Sequence, residues 1–235
     1  MKIRISALNV PVTNLGHGRR LGIWVQGCSI GCRGCVAVDT WATDPRTEST
    51  VDEVMRWVEG LDATDLDGVT ISGGEPFEQP EALRELLERL RVWRAGTGRD
   101  IDLLCYSGRH EHDLIRDHGD ILALLDVVIP EPFVRERAAT IALRGSDNQR
   151  IVPLTDLGRL RYTGEDRLEE LTKQRERMQV FIGETGVRLV GIPRRRDIQN
   201  FLRRLNDSGI SLSRRDDDPE VAPTDADDEP EDGPE

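Results

Sequence analysis

Short apolar runs alternate with stretches in which apolar positions recur every three or four residues along the first half of the chain. Leu21-Gly22-Ile23-Trp24-Val25-Gln26, ending at Gly27, reads as a buried strand. Thr50 and Glu53 then have the spacing of a capping box, and Val51, Val54, Met55, Val58 and Leu61 follow at helical intervals. Gly68 to Ser72 is the next strand, closed by Gly73-Gly74-Glu75-Pro76. Pro80 opens a helix with Leu83, Leu86, Leu87, Leu90 and Trp93 on one face. A third strand covers Ile101 to Cys105 and exits through Tyr106-Ser107-Gly108. A helix over about residues 111 to 125 turns Leu114, Ile115, Ile121, Leu122 and Leu125 inward, and Val127 to Ile129 is the fourth strand. Apolar strands alternating with amphipathic helices predict an α/β fold, with a parallel sheet covered on both faces or curled toward a barrel and a site at the carboxyl ends of its strands. Beyond Pro130 the pattern weakens. Ala142 to Leu154 reads as loop with a strand at Arg150 to Pro153, and Leu168 to Met178 as helix. Val180 to Ile182 pairs with Val187 to Val190 as a hairpin, and a last helix carries Ile198, Phe201, Leu202 and Leu205.

Charge marks off the end of the chain. Of a net −12 over 235 residues, −9 falls between Arg214 and Glu235, where two arginines stand among eleven carboxylates. That segment contains Pro219, Pro223, Pro230 and Pro234 and almost no large apolar side chains, so it is expected to be a disordered acidic tail over 213–235. Its plainest role is a solvated terminus; the alternative is a tail for a basic partner. Residues 1–212 then form one domain, with core motifs in 16–155 and an extension over 156–212. A chain so acidic is not built to grip nucleic acid or an anionic membrane. The N-terminus shows no apolar run of signal-peptide or membrane-span length, so the expected location is the cytoplasm. A reducing compartment keeps clustered thiols free for metal or redox chemistry.

The cysteines are clustered. Cys28, Cys32 and Cys35 form C-x3-C-x2-C, and Cys105 lies apart in an apolar strand as a core thiol. A structural zinc site closes with four protein ligands. Three thiolates on a [4Fe-4S] cluster instead leave one iron open to a ligand that is not protein. Gly27, Gly31 and Gly34 suit a tight loop around such a group. The alternatives are zinc completed by His17 or His110, or an incidental grouping. Gly73-Gly74-Glu75-Pro76 taken alone is a strand-to-helix turn; beside the cysteines, its glycines allow close approach to a ligand and Glu75 is an acceptor for an ammonium group. His17 reads either as a neighbour of the cofactor or as an exposed loop residue. His110, His112 and His118 carry no expected chemical role. Asn148 and Ser146 either bond a ribose or partner backbone or stabilise a turn, and Trp41 either shields the cluster or staples its loop. Arg194-Arg195-Arg196 is the solvated start of the last helix or, alternatively, a receiver for the acidic tail.

Taken together these motifs resemble the radical S-adenosylmethionine superfamily, with its CxxxCxxC loop after one strand and its GGEP motif after the next. The resemblance implies that Cys28, Cys32 and Cys35 ligate a [4Fe-4S] cluster, and that the open iron holds S-adenosylmethionine. Gly73, Gly74, Glu75 and Pro76 would hold the methionine end, with Gly34 and Val36 lining the cofactor. Gly18-Arg19-Arg20, Trp24 to Cys28, Asp39-Thr40-Trp41, Ser72 to Phe77, Tyr106-Ser107-Gly108 and Leu143 to Arg150 are similar to the branch that activates anaerobic ribonucleotide reductase and other glycyl radical enzymes. That branch implies an incomplete (β/α) barrel, open on one side for a partner's loop, and reductive cleavage of S-adenosylmethionine to a 5′-deoxyadenosyl radical. It also implies a glycyl radical enzyme as protein substrate and an electron donor such as a flavodoxin or ferredoxin. Two departures stand out: Val36-Ala37 where the branch has an aromatic or histidine and then asparagine, and Pro130-Glu131-Pro132-Phe133 where it has Asp-Gly-Pro-Phe. The competing functions are a radical enzyme acting on a peptide or small molecule, and a non-catalytic Fe-S or zinc binding module.

Overall fold

The computed structural model describes residues 1–173, 178–183, 186–193 and 195–210. The expected tail, the boundary near Leu212 and Arg194 lie outside the described residues. The chain opens with strand β1 (Lys2–Val12), followed by β2 (Arg20–Val25) and, past the cysteines, β3 (Glu48–Thr50) and α1 (Val51–Glu59). Next come β4 (Gly68–Gly73), α2 (Pro80–Thr97), β5 (Asp102–Tyr106), α3 (Glu111–Leu122) and β6 (Val127–Ile129). The rest holds β7 (Ala138–Ile141), β8 (Arg144–Ser146), β9 (Val152–Pro153), α4 (Asp156–Tyr162), α5 (Glu165–Lys173), the pair β10 (Met178–Gly183) and β11 (Gly186–Gly191), and α6 (Arg195–Asp207). One seven-stranded sheet runs in the order β3-β1-β2-β4-β5-β6-β9. Its centre, β2-β4-β5-β6, is parallel, and antiparallel strands flank it on either side.

Parallel strands covered on both faces read as near-continuous apolar runs, and the centres of β2, β5 and β6 are such runs, while β4 is interrupted by Thr70, whose hydroxyl is bonded to Arg20. Successive side chains then go to opposite layers. Ile23, Val25, Val69, Ile71, Leu103, Cys105 and Val128 join the apolar stripes of α1, α2 and α3 in one cluster. On the opposite face Leu104, Val127 and Ile129 pack with Leu143, Tyr162 and Leu171, while Trp24 packs with Val12, Leu15 and Val190. The 156–192 extension therefore covers the face that the helices leave open. Its hairpin is pinned to β1 by Gln179, whose Oε1 accepts from the Thr13 N–H at 2.8 Å, and by Asn14, which donates to the Val190 carbonyl at 2.8 Å.

The capping box at α1 is present in both directions, Thr50 taking the Glu53 N–H and Glu53 the Thr50 N–H. The expected hairpin and last helix are also there. Three elements depart from expectation. The N-terminal strand was not foreseen, because a bulge between Ile5 and Ala7 shifts its alternation: Ile3 and Ile5 lie in one phase, Leu8 and Val10 in the other. The stretch expected as loop, Ala142 to Leu154, contains β8, which pairs with β7 just before it, and the strand expected at Arg150 to Pro153 is the two-residue β9. The helix expected over 168–178 is α5, described over Glu165–Lys173, with 174–177 outside the described residues and Met178 in β10; the seven-residue α4 precedes it.

Candidate metal and cofactor site

All three clustered cysteines follow the carboxyl end of β2, and the Gly-Gly-Glu-Pro loop follows the carboxyl end of the adjacent strand β4. Backbone bonds tie the two exits together: Gly74 N–H donates to Val25 O and Glu75 N–H to Gly27 O, each at 2.8 Å. This closeness is what requires the glycines. Gly73 sits at φ +105°, and a Cβ on Gly74 would lie 2.2 Å from the Gly27 carbonyl oxygen. Gly74→Ala is therefore expected to push the cysteine loop out of place and to cost on the order of 1–3 kcal/mol. Iron bound per chain after reconstitution should fall severalfold, and full iron loading would refute the fit.

The loop itself is fastened along its length. Gly27 N–H donates to Thr40 O (2.8 Å) and Cys28 N–H to Trp41 O (2.9 Å), while the Gln26 amide donates to the carbonyls of Asp39 and Ala42. Ser29 donates its N–H and hydroxyl to Glu78 Oε1 at 2.7 and 2.6 Å. Arg188 of β11 reaches Asp39 at 3.4 Å, so the extension also touches the loop. Gln26 and Glu78 were not among the expected site residues; Glu78 follows its motif by two positions and nothing in its spacing separates it from a helix-start acid.

All three thiols are free and half-buried. Burial pushes each thiol up, and amide donors oppose this: the N–H groups of Ile30 and Gly31 at Cys28, of Phe133 at Cys32, and of Ala37 with the Trp41 side chain at Cys35. The Trp41 side chain thus lies beside the Cys35 thiol, while its carbonyl fastens the loop. Gly31 adopts φ +61°, with open space where a side chain would project. Among the described residues no three Cys, His, Asp or Glu side chains are grouped to hold a single metal ion. A soft, all-thiol donor set in a glycine loop with amides aimed at the sulfurs fits a [4Fe-4S] group with one iron left over.

Glu75 is almost fully buried, and its carboxylate is engaged within the chain. Oε1 accepts from the Phe77 N–H (3.0 Å) and the Ser107 hydroxyl (2.8 Å), and Oε2 from the Gly108 N–H (2.7 Å). Burial pushes the Glu75 carboxyl up despite these donors. The side chain thus clamps the exits of β4 and β5 together and leaves a single acceptor position on Oε2 for any ligand. Pro76 is buried behind it, Val36 lies exposed on the loop surface, and Gly34 faces Phe133 and Arg135.

Other candidates separate from this cluster. Cys105 is fully buried in the helix-side core, and burial pushes its thiol well up. His17 precedes β2 at the opposite end of the sheet, where its N–H donates to the Tyr162 hydroxyl at 3.0 Å, so it is no fourth ligand. His110 is held by Glu131 at 2.7 Å. Ser146 accepts from the Val134 N–H and Asn148 donates to Pro132 O, which makes both turn-stabilising residues here.

A family model described as a 4Fe-4S single cluster domain matches residues 14–152. The anaerobic ribonucleoside-triphosphate reductase-activating protein of Enterobacteria phage T4 is 28% identical over 141 residues, covering 60% of this chain and 88% of that protein. Its namesake from Haemophilus influenzae is 29% identical over 141 residues, 57% of this chain and 87% of its own. A pyruvate formate-lyase-activating enzyme from Staphylococcus epidermidis is 34% identical over 121 residues, 48% of this chain; the match spans about half of that enzyme, 47%.

Proposed function

From the premise that this chain belongs to the family of 4Fe-4S single cluster domains, we propose that it cleaves S-adenosylmethionine reductively and passes the resulting radical to a glycyl radical enzyme. The observation that carries this reading is the pairing of a three-thiol loop with the Gly-Gly-Glu-Pro loop, hydrogen-bonded to one another at the carboxyl ends of adjacent parallel strands. When bound, the cluster supplies the electron that breaks the sulfonium bond, yielding methionine and the 5′-deoxyadenosyl group that takes a hydrogen atom from its target.

The chain's own part is binding and alignment. Cys28, Cys32 and Cys35 would hold three irons of the cluster. Gly73, Gly74 and Pro76 shape the rim on which the methionine end would rest, and Glu75 fixes that rim to Ser107 and Gly108 with one acceptor position left for an ammonium group. No side-chain acid or base is needed for the cleavage; orientation and exclusion of water are the work. Gly34 and Val36 would line the cofactor on the loop side. We read the twisted, open sheet as an incomplete barrel of the radical S-adenosylmethionine type, with residues 1–212 as its catalytic unit. The activating proteins named above support a protein substrate, and a flavodoxin or ferredoxin in the cytoplasm would supply the electron. No described helix is long and apolar enough to cross a membrane.

The test is anaerobic reconstitution of the full chain with iron and sulfide, reduction with dithionite, and an assay for 5′-deoxyadenosine. Its formation is expected; a stable zinc site with none formed overturns the proposal. A glycyl radical enzyme in the neighbouring reading frame supports activation of a protein, whereas a short precursor peptide there would point to a peptide target.

A further inference from the structure

The segment after β6 holds the one glutamate with a left-handed backbone among the described residues. Glu131 sits at φ 85° and is followed by Pro132, so its conformation is disfavoured twice over, by its Cβ and by the proline ring. Such a conformation persists only where its surroundings over-determine it. Here four hydrogen bonds do so. Glu131 N–H donates to Arg109 O (2.9 Å), and its carbonyl accepts from the Gln149 amide (3.0 Å). Its carboxylate accepts from the Glu111 N–H through Oε1 (3.0 Å) and meets His110 Nδ1 through Oε2 (2.7 Å). Downstream, Asn148 holds the Pro132 carbonyl and Ser146 the Val134 N–H. The turn delivers Phe133 onto the cysteine loop: its ring lies between Gly34 and Gly145, which brings its backbone N–H to the side of Cys32.

Amide donors to the sulfurs of an iron-sulfur cluster stabilise its more negative, reduced state and so raise its potential. We infer that Glu131 is a positioning residue for the cluster, its carboxylate bridging His110 and the Glu111 amide to hold the left-handed turn that aims the Phe133 N–H at Cys32. The inference rests on the proposed function only in that a [4Fe-4S] cluster occupies the three cysteines. It assigns a role to the Glu131 side chain, which no cluster or cofactor contact requires.

The experiment is a dithionite titration of the reconstituted full chain without S-adenosylmethionine, followed by electron paramagnetic resonance. The series compares wild type, Glu131→Ala, Glu131→Gln and His110→Ala. Alanine keeps the strain and loses both carboxylate bonds, so the turn relaxes and the couple becomes harder to reduce. At the wild-type midpoint its ratio of reduced to oxidised cluster is expected to fall about tenfold, about 59 mV for one electron. His110→Ala should shift in the same direction by less, and Glu131→Gln, whose oxygen takes the Glu111 N–H and whose NH2 donates to His110 Nδ1 in the Nε2–H tautomer, should stay near wild type. An unshifted Glu131→Ala with full cluster content overturns the inference, as does a glutamine variant shifted as far as alanine. If Glu131→Ala retains no cluster, His110→Ala decides, and its failure to shift overturns the inference. A wild type that forms no reducible cluster overturns the functional reading itself, so the two failures are told apart.

Discussion

Cys32→Ala leaves the reconstituted chain without the cluster's visible absorbance and lowers 5′-deoxyadenosine formation below about one hundredth of wild type. The magnitude follows from comparison: losing an outer-shell partner of a metal ligand already costs 10–100-fold, and here the ligand itself goes. Two thiols at one edge of the loop cannot retain a cube whose third corner has no donor. Cys105→Ala is the contrasting case. That thiol lies at the far layer of the sheet among the side chains facing α1 to α3, so its loss should cost about 1 kcal/mol of stability and leave iron content unchanged. Iron and sulfide per chain, with product measured on the same samples, distinguish the two. A Cys105→Ala chain that loses its iron, or a Cys32→Ala chain that keeps it, would contradict the assignment.

Asp102→Asn is expected to cost 3–5 kcal/mol, about what breaking one partner of a buried ion pair costs. At the amino-terminal end of the sheet, Arg20 and Asp102 are both fully buried and meet at 2.5 Å. Arg161 of α4 reaches the same carboxylate at 2.7 Å, and the Tyr162 hydroxyl approaches it at 3.2 Å. Asparagine has nearly the same shape, so the loss would be electrical: Arg20 would keep its bonds to Thr70, Val69 O and His17 O but have no counter-charge. Denaturant midpoints at neutral pH measure the effect, and a midpoint within 1 kcal/mol of wild type would contradict it. The same group predicts an acid limb. Burial alone would push the Asp102 carboxyl up, and Arg20 and Arg161 more than reverse this, holding it below the usual carboxylate range. Its contribution is therefore complete above about pH 3.9, the unfolded value, and is lost as pH falls through the folded one. In the asparagine variant this acid-labile portion should be missing.

Much of this arrangement was readable in the amino-acid order, and the reasons are local. Strands buried on both faces announce themselves as unbroken apolar runs such as Leu103–Cys105 and Val127–Ile129, and Thr50 with Glu53 marks a helix start without help from distant residues. The cysteine spacing and Gly-Gly-Glu-Pro are likewise contiguous. What escaped notice depends on contacts far apart in sequence. β1 changes phase at its bulge, α4 is too short to establish a period, and β7–β8 owes its position to Phe133 and Gln149. At the site, the glycines of the second loop were expected to make room for a ligand; Gly74 first makes room for the Gly27 carbonyl. Glu75 was expected to face a ligand's ammonium group, yet Ser107 and Gly108, more than thirty positions later, claim most of its carboxylate. Side-chain direction at a loop depends on what the rest of the chain brings beside it, and no spacing rule carries that.

The fastening of the cysteine loop also sets an order of assembly. The three thiols leave the ribosome early, at the end of the β1–β2 pair and before β3 and β4, the later strands to which that pair is bonded. Ser29 waits for Glu78, forty-nine positions later, Gly27 for Glu75, and Cys32 for Phe133. The loop thus takes its final fastening from residues made after it, as far along the chain as the segment following β6. The loop is made first and closed last, so a cluster inserted into the finished protein enters a mouth already shaped, while one captured earlier would have to be carried through the folding of everything that follows.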